Sequence, residues 1–341
     1  MKLDTVLAAA DIESAGDAAK FAEEMGFSGL WAAETGTTPF MPLAVAALAT
    51  ERIELGTAIA VAFPRSPMVT AMDSWALQKA SKGRFILGLG TQVKGHNERR
   101  FSVPFEHPGP KLREMILAMR AIWKAFQGEE RLNFRGDFYR FDLMTPFFNP
   151  GPSSHPEIPI YIAGVNEYMC ELAGELCEGF HVHPFHSVAF LENHVLPGIE
   201  KGLKVAGRER SDIDLVAPVF VCMGANEQEI EAAKGPIRMQ IAFYGSTRTY
   251  QPVFAEHGWE ETTAKLQSLM AEGRMAEMGS AITDEMLDVY AISCTYDEVA
   301  EKVKAKYDGL IDRAFFYLPV PPGLPAEQEA RWRRIIEAFS G

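Results

Sequence analysis

Leu55-Gly56-Thr57-Ala58-Ile59, then Arg65-Ser66-Pro67, then Ser81-Lys82-Gly83-Arg84-Phe85-Ile86-Leu87-Gly88-Leu89-Gly90-Thr91, is the stretch that decides the fold of this chain. Twice a short apolar run ends at small residues, Thr57-Ala58 and Gly90-Thr91, and between them Pro67 opens a helical pattern. These are two successive β/α units. A large side chain at either strand end would block a flat ligand approaching the tips, where parallel β/α barrels keep their chemistry.

The same alternation runs outward in both directions. Strands are predicted at Leu3–Ala8, Gly29–Ala33, Ile53–Ile59, Phe85–Leu89, Ile158–Ala163, Gly179–Val182, Leu215–Cys222 and Arg313–Leu318. Eight strands with helices between them is the number that closes a barrel. The fold expected is therefore α/β, a (β/α)8 TIM barrel with insertions, filling residues 1–341 as a single domain. Helices are expected from Ser14 to Met25, stopped by Gly26, and from Pro67 to Ser81; Ser187 opens a third.

Two segments break the rhythm. Residues of about 128–157 read as a hairpin or ordered loop, with a turn at Gly136-Asp137 and a proline-rich tail at Pro146, Pro150, Pro152, Pro156 and Pro159. Residues of about 227–291 form a helical insertion rich in methionine: Met239, Met270, Met275, Met278 and Met286. Long excursions often serve as lids or binding loops. Plain helix packing explains the methionines equally well.

Of 341 residues, 47% are hydrophobic and 23% charged, ordinary values for a globular chain with a core to bury. A formal charge of −13 repels polyanions, which argues against nucleic-acid binding. No run approaches the roughly 20 apolar residues of a membrane helix, and no leader pattern opens the chain, so a cytoplasmic protein is expected. Cys170, Cys177, Cys222 and Cys294 make no C-x-x-C pair and read as reduced, buried thiols.

Further motifs fall in order and at barrel spacing: Gly26-Phe27-Ser28-Gly29-Leu30-Trp31-Ala32-Ala33-Glu34-Thr35 at strand two, Pro159-Ile160-Tyr161-Ile162-Ala163-Gly164 at strand five, Glu178-Gly179-Phe180-His181-Val182-His183 at strand six. With the opening stretch they resemble the bacterial-luciferase-like superfamily of flavin- and deazaflavin-dependent oxidoreductases. The wording is most similar to the group using the deazaflavin coenzyme F420. That resemblance implies hydride transfer between deazaflavin C5 and an apolar organic substrate, an alcohol or carbonyl compound or an activated alkene. An FMN-dependent monooxygenase is the alternative, and a flavin-binding barrel without turnover a further one.

The resemblance also implies site residues. A non-prolyl cis peptide is expected at Ala58–Ile59, bulging against the central ring of the cofactor. The loop Ala163-Gly164-Val165-Asn166 is expected to receive the cofactor phosphate on backbone N–H groups. Thr91, Gln92 and His183 complete the cofactor-binding set. Glu34 and Thr35, at the C-terminal end of strand two where barrels collect catalytic residues, are further catalytic candidates; they occupy the position where sugar-phosphate-oxidising relatives carry an Asp-His pair, and Val93 stands where they carry a glutamate. Sugar-phosphate oxidation is therefore not implied. His96, just beyond strand four, is the candidate catalytic side chain for contact with the ring or a substrate carbonyl, because imidazole can donate a proton near neutral pH, with a solvent-exposed or merely hydrogen-bonded histidine as the alternative. Arg65, Lys94, Arg99 and Arg100 form a candidate basic rim for an anionic oligoglutamate tail, with ordinary ion pairs to neighbours such as Glu98 as the alternative. Relatives pair through helices of the second and third units, so a homodimer is expected, with Met68, Met72, Trp75 and Leu77 on or near the relevant helix.

One rival class has a motif of its own. His181-Val182-His183-Pro184-Phe185-His186 carries the H-x-H spacing of metal-dependent barrel hydrolases. It falls on strand six rather than strand one, and matching ligands elsewhere are not evident. Gly245-Ser246-Thr247 fails the nucleophile-elbow pattern, and Gly88-Leu89-Gly90 lacks the third glycine of a dinucleotide fingerprint.

Overall fold

A computed structural model describes residues 1–7 and 11–340. Eight parallel strands form the barrel: β1 (Lys2–Val6), β2 (Gly29–Ala32), β3 (Glu54–Thr57), β4 (Phe85–Gly90), β5 (Ile160–Ala163), β6 (Gly179–His181), β7 (Asp214–Gly224) and β8 (Arg313–Phe316). Each pairs with the next from β1 to β6. Pairings of β6 with β7, β7 with β8 and β8 with β1 close the ring.

All eight predicted strands are present, most with ends shifted by one or two residues, and three of the differences are instructive. The predicted end of the first strand at Ala8 lies outside the described residues. The third stops at Thr57 rather than Ile59 and resumes as a two-residue strand, Ala60–Val61, against Leu89 and Gly90 of β4. β7 runs on to Gly224 because a strand unforeseen in the sequence, Ala291–Thr295, pairs with its outer half.

The helices follow their caps. Ile12–Met25 starts at Asp11, whose carboxylate accepts the Ser14 N–H, and ends where Gly26 takes φ of 97°. Ser66 caps Pro67–Ala80, and the Ser187 hydroxyl accepts the Phe190 N–H. Within 128–157 a hairpin pairs Phe134–Arg135 with Arg140–Phe141, its turn held by the Glu114 carboxylate, which accepts N–H bonds from Asp137, Phe138 and Tyr139 at 2.6–2.8 Å. The 227–291 insertion carries helices Glu227–Gly245, Gln251–Ala255, Glu260–Ala271 and Asp284–Tyr290. All four cysteines are free and buried.

Because side chains alternate across a strand, every second residue points into the barrel lumen. The lumen is filled by setting bulk against glycine. A Cβ on Gly56 would collide with the Trp31 ring, and one on Gly179 would lie 2.5 Å from the Tyr161 ring. At Gly29 a Cβ would crowd the Arg313 guanidinium and the Asp4 carboxylate. Those two groups, 1% exposed each, join the last strand to the first: Arg313 Nε and Nη2 donate to Asp4 at 2.8 and 3.0 Å. Trp31 Nε1 also donates to Asp4, at 2.9 Å, and Arg313 lies 2.5 Å from Glu54 Oε2. A polar cavity of about 460 Å³, lined in part by Arg84, Tyr161 and Asp214, opens at this N-terminal end, which in barrels serves stability.

Removing one partner of a buried ion pair strands the other charge, at a cost of about 3–5 kcal/mol. We expect Asp4→Ala to lower the unfolding free energy in urea by that amount. Lys2→Ala breaks only the half-exposed Lys2–Glu54 pair and is expected to cost less than about 1 kcal/mol. Equal effects of the two substitutions would contradict this account of the lumen.

Candidate active site

The C-terminal strand ends converge on one mouth. Between β3 and Ala60–Val61 the chain turns through Ala58–Ile59, whose peptide bond is cis. The end of β2 pins this turn: Ala58 N–H donates to Ala32 O at 2.8 Å, Glu34 N–H to Ile59 O at 3.1 Å, and Val61 N–H to Glu34 Oε2 at 2.7 Å. Ala58 and Ile59 are partly exposed, as are Thr91, Ala163, Gly164 and Val165 around the rim. Together they make a low apolar ledge.

The glycines at the strand tips do not leave open slots, contrary to the simplest reading of the sequence. A Cβ on Gly90 would lie 2.8 Å from Ile59 Cδ1, and one on Gly88 would strike the Thr57 carbonyl and come 2.8 Å from His181 Nε2. The space at Gly90 therefore seats Ile59, and it is the Ala58–Ile59 turn that presents a surface to a ligand.

Glu34 and Arg65 are committed to each other. Glu34, 9% exposed, accepts from Arg65 Nη2 at 2.6 Å and Nη1 at 2.8 Å, besides the Val61 N–H. A carboxylate so bound holds the Ala58–Ile59 turn, with both its oxygens engaged. Thr35 is exposed, and its carbonyl accepts from the Arg100 guanidinium. His96 is also exposed, on the short helix Lys94–Arg99 that follows the strand-four tip. Of the expected basic rim, Arg65 holds Glu34, Arg100 holds Thr35, and Lys94 lies 3.7 Å from Glu98. Arg99 is exposed.

Gln92, exposed and with φ of 55°, sits in a loop held by a residue the sequence did not single out. The fully buried Asn97 donates from Nδ2 to Thr91 O at 2.8 Å and Val93 O at 3.2 Å. An asparagine on a short charged helix carries no spacing signal for that role.

On the far side of the ledge, Asn166 caps the helix Glu167–Leu176, its Oδ1 accepting the Met169 N–H at 3.0 Å. First-turn amides have no intrahelical acceptor, so the Glu167 and Tyr168 N–H groups remain to meet an anion. Gly164 makes the turn possible for a packing reason: a Cβ there would strike Met169.

The three histidines of strand six diverge. His181 stands edge-on to Trp31 in the lumen, centroids 4.9 Å apart, with Nε2 lacking a hydrogen-bond partner among the described residues. His183 Nδ1 accepts the Phe185 N–H at 3.1 Å, which leaves the ring proton on Nε2. His186 engages His183 O at 2.8 Å and Tyr307 Oη at 3.1 Å. Burial pushes His181 and His183 down to about 3 and His186 to about 4, so all three are neutral near pH 7. Among the described residues no three His, Cys, Asp or Glu side chains are grouped to hold a metal ion, and the H-x-H spacing does not produce a ligand set.

His183 belongs instead to an aromatic wall. Its ring stacks on Tyr250 at 3.9 Å and meets the Tyr244 edge at 4.8 Å. Tyr244 is hydrogen-bonded through its hydroxyl to Tyr317, the residue after β8. Tyr244 and Tyr250 come from the 227–291 insertion, whose sequence stands out for methionine rather than tyrosine. Met278 and Met286 are buried in packing.

Comparison with known proteins agrees with this architecture. A family profile for luciferase-like monooxygenases matches residues 3–313. An uncharacterized protein of Mycobacterium tuberculosis is 43% identical over 92% of this chain and 91% of its own. A 5,10-methylenetetrahydromethanopterin reductase of Archaeoglobus fulgidus is 28% identical over 83% of each chain. The coenzyme F420 dependent tetrahydromethanopterin reductase of Methanopyrus kandleri has the same fold, with a TM-score of 0.78 at 20% identity over 99% of this chain and 97% of that one. With a closed β/α barrel, a ledge at its C-terminal mouth and a profile match over nearly its whole length, this chain belongs to the luciferase-like monooxygenase family of oxidoreductases.

Proposed function

We propose that the protein is an F420-dependent oxidoreductase acting on an apolar organic substrate. The observation that carries the reading is the ledge of Ala58, Ile59, Ala163 and Gly164 beside free first-turn amides at Glu167 and Tyr168. A planar ring fits the ledge, and a phosphate fits the amides without a basic side chain. Similarity to an F420-dependent reductase favours the deazaflavin. When bound, that coenzyme supplies a hydride at C5.

The chain's own residues position and shield. Ala58 and Ile59 support the ring, held from behind by Glu34 and Arg65. Asn97 fixes the loop that presents Thr91 and Gln92 to the ring edge. Val165 and Asn166 line the phosphate loop, and His183 borders the ring from the aromatic side. The family's monooxygenases supply a second reading, FMN with oxygen on the same ledge. Its domain is one barrel, with the two insertions as extensions of the mouth and flank.

A homodimer is part of the proposal. Met41 and Leu48 on helix Phe40–Ala49, and Val69 and Met72 on Pro67–Ala80, are large apolar side chains left 47–81% exposed. Trp75 and Leu77 are buried and belong to the core, while Met68 is half-buried. No helix among the described residues is long and apolar enough to cross a membrane.

Three measurements test the reading. Titration followed by absorbance and fluorescence is expected to show saturable uptake of F420 and weak uptake of FMN; tight FMN binding with none of F420 would reverse the cofactor choice. Glu167→Pro removes one amide at a helix position that tolerates proline, after an Asn166 already extended at φ −109° and ψ 160°. Relative to Glu167→Gln, it is expected to weaken cofactor binding at least about tenfold, the worth of a hydrogen bond to a charged group, with an unchanged melting temperature. Unchanged affinity would remove the phosphate from this loop. Leu48→Glu with Met72→Glu is expected to give a monomer by sedimentation equilibrium; a persisting dimer would place the interface elsewhere.

A further inference from the structure

The aromatic wall has a polar end that neither the ledge nor the phosphate loop uses. Tyr317 continues the inward alternation of Arg313 and Phe315, its N–H still reaching Val219 O at 3.3 Å, so its ring overhangs the lumen from β8. Phe220 meets it edge-on at 5.4 Å. Tyr244 approaches from the end of helix Glu227–Gly245 and joins its hydroxyl to that of Tyr317. His183 and Tyr250 continue the wall toward β6. The result is three tyrosines and a neutral imidazole, drawn from separate elements, facing one mouth.

Two hydroxyls bonded to each other have two protons and need only one between them. The second proton is free to point outward, and its oxygen is polarised by the partner that donates to it. The groups acting on the Tyr244 phenol are burial first, then Tyr317 and Tyr250, with Gln240 opposing, and none is charged. Burial and Tyr317 act on Tyr250 in the same direction. The Tyr244 and Tyr250 phenols therefore stay protonated throughout the physiological range, and they face the mouth as neutral donors.

From this arrangement we infer that the wall is the substrate subsite, and that it selects a neutral, planar carbonyl compound. Conjugated or aromatic faces lie along Tyr250, His183 and Tyr244, and the carbonyl oxygen accepts from the Tyr244–Tyr317 pair. Aromatic faces favour a flat π-system over a saturated ring of the same size. A carboxylate or phosphate loses its hydration on entry and meets phenols and a neutral imidazole along the wall itself. The inference rests on the proposed oxidoreductase reading, since it places an acceptor oxygen above the same ledge. It names Tyr244 and Tyr317 as specificity-determining residues.

The test uses the full chain and reads binding rather than turnover. Ligand-observed NMR with acetophenone, cyclohexyl methyl ketone, ethylbenzene and benzoate is expected to rank acetophenone first. Tyr317→Phe and Tyr244→Phe are each expected to weaken acetophenone about 3- to 10-fold, the worth of one neutral hydrogen bond, while leaving ethylbenzene unchanged. Tyr250→Ala is expected to weaken both. F420 uptake by the two Phe variants is expected to match the parent, so a wrong cofactor assignment and a wrong substrate subsite give different results. The inference is overturned if acetophenone does not bind the parent, if both Phe variants bind it as tightly, or if benzoate binds best. Should Tyr244→Phe melt early by circular dichroism, Tyr317→Phe alone decides.

Discussion

Closing eight parallel strands into a ring creates a lumen filled with side chains, so its inward-facing residues must complement one another in size and charge. This chain meets the demand by pairing bulk with glycine across neighbouring strands: Trp31 over Gly56, Tyr161 over Gly179, and Arg313 with Asp4 over Gly29. The Arg313–Asp4 pair also ties residues 309 positions apart, at the seam where the last strand meets the first. A charged plug of this kind stabilises only while each partner is satisfied, which is why Trp31, Glu54 and Asp4 surround one guanidinium.

Packing in the lower barrel sets the form of the mouth above it. With Gly90 accommodating Ile59, the Ala58–Ile59 turn is thrust to the surface as a ledge, and Glu34, Arg65 and the Val61 amide fix it from outside. The opposite side is built differently. β6, β8 and the long insertion contribute rings, so the mouth has one low apolar side and one aromatic side with hydroxyl donors. An oxidoreductase needs such a division, because cofactor and substrate must lie face to face with water excluded between them.

The barrel was legible because its signal is periodic: short apolar runs, caps such as Ser66 and stops such as Gly26 are local features that tertiary contacts reinforce. The position of the Ala58–Ile59 turn was legible through family resemblance, and the structure has the cis bond there. Side-chain partnerships across the mouth were not legible. Nothing in the sequence joins Glu34 to Arg65, 31 positions away, which binds both its oxygens. His96 has the chemistry for proton transfer, and the structure adds that it is exposed on a short helix beyond the strand-four tip. Tyr244, Tyr250 and Tyr317 meet only because an insertion folds back over β8. Nothing in their spacing announces it. The strand Ala291–Thr295 was hidden for a like reason, lying at the end of a segment whose pattern is otherwise helical.

The central claim is that the Ala58–Ile59 ledge carries the ring of a deazaflavin. A crystal structure of the protein with F420 tests it most directly. The account predicts the tricycle resting on Ala58 and Ile59, its phosphate against the Glu167 and Tyr168 amides and its open face turned to the tyrosine wall. F420 bound away from the ledge, or a ledge that stays empty while another part of the barrel holds the coenzyme, would contradict it.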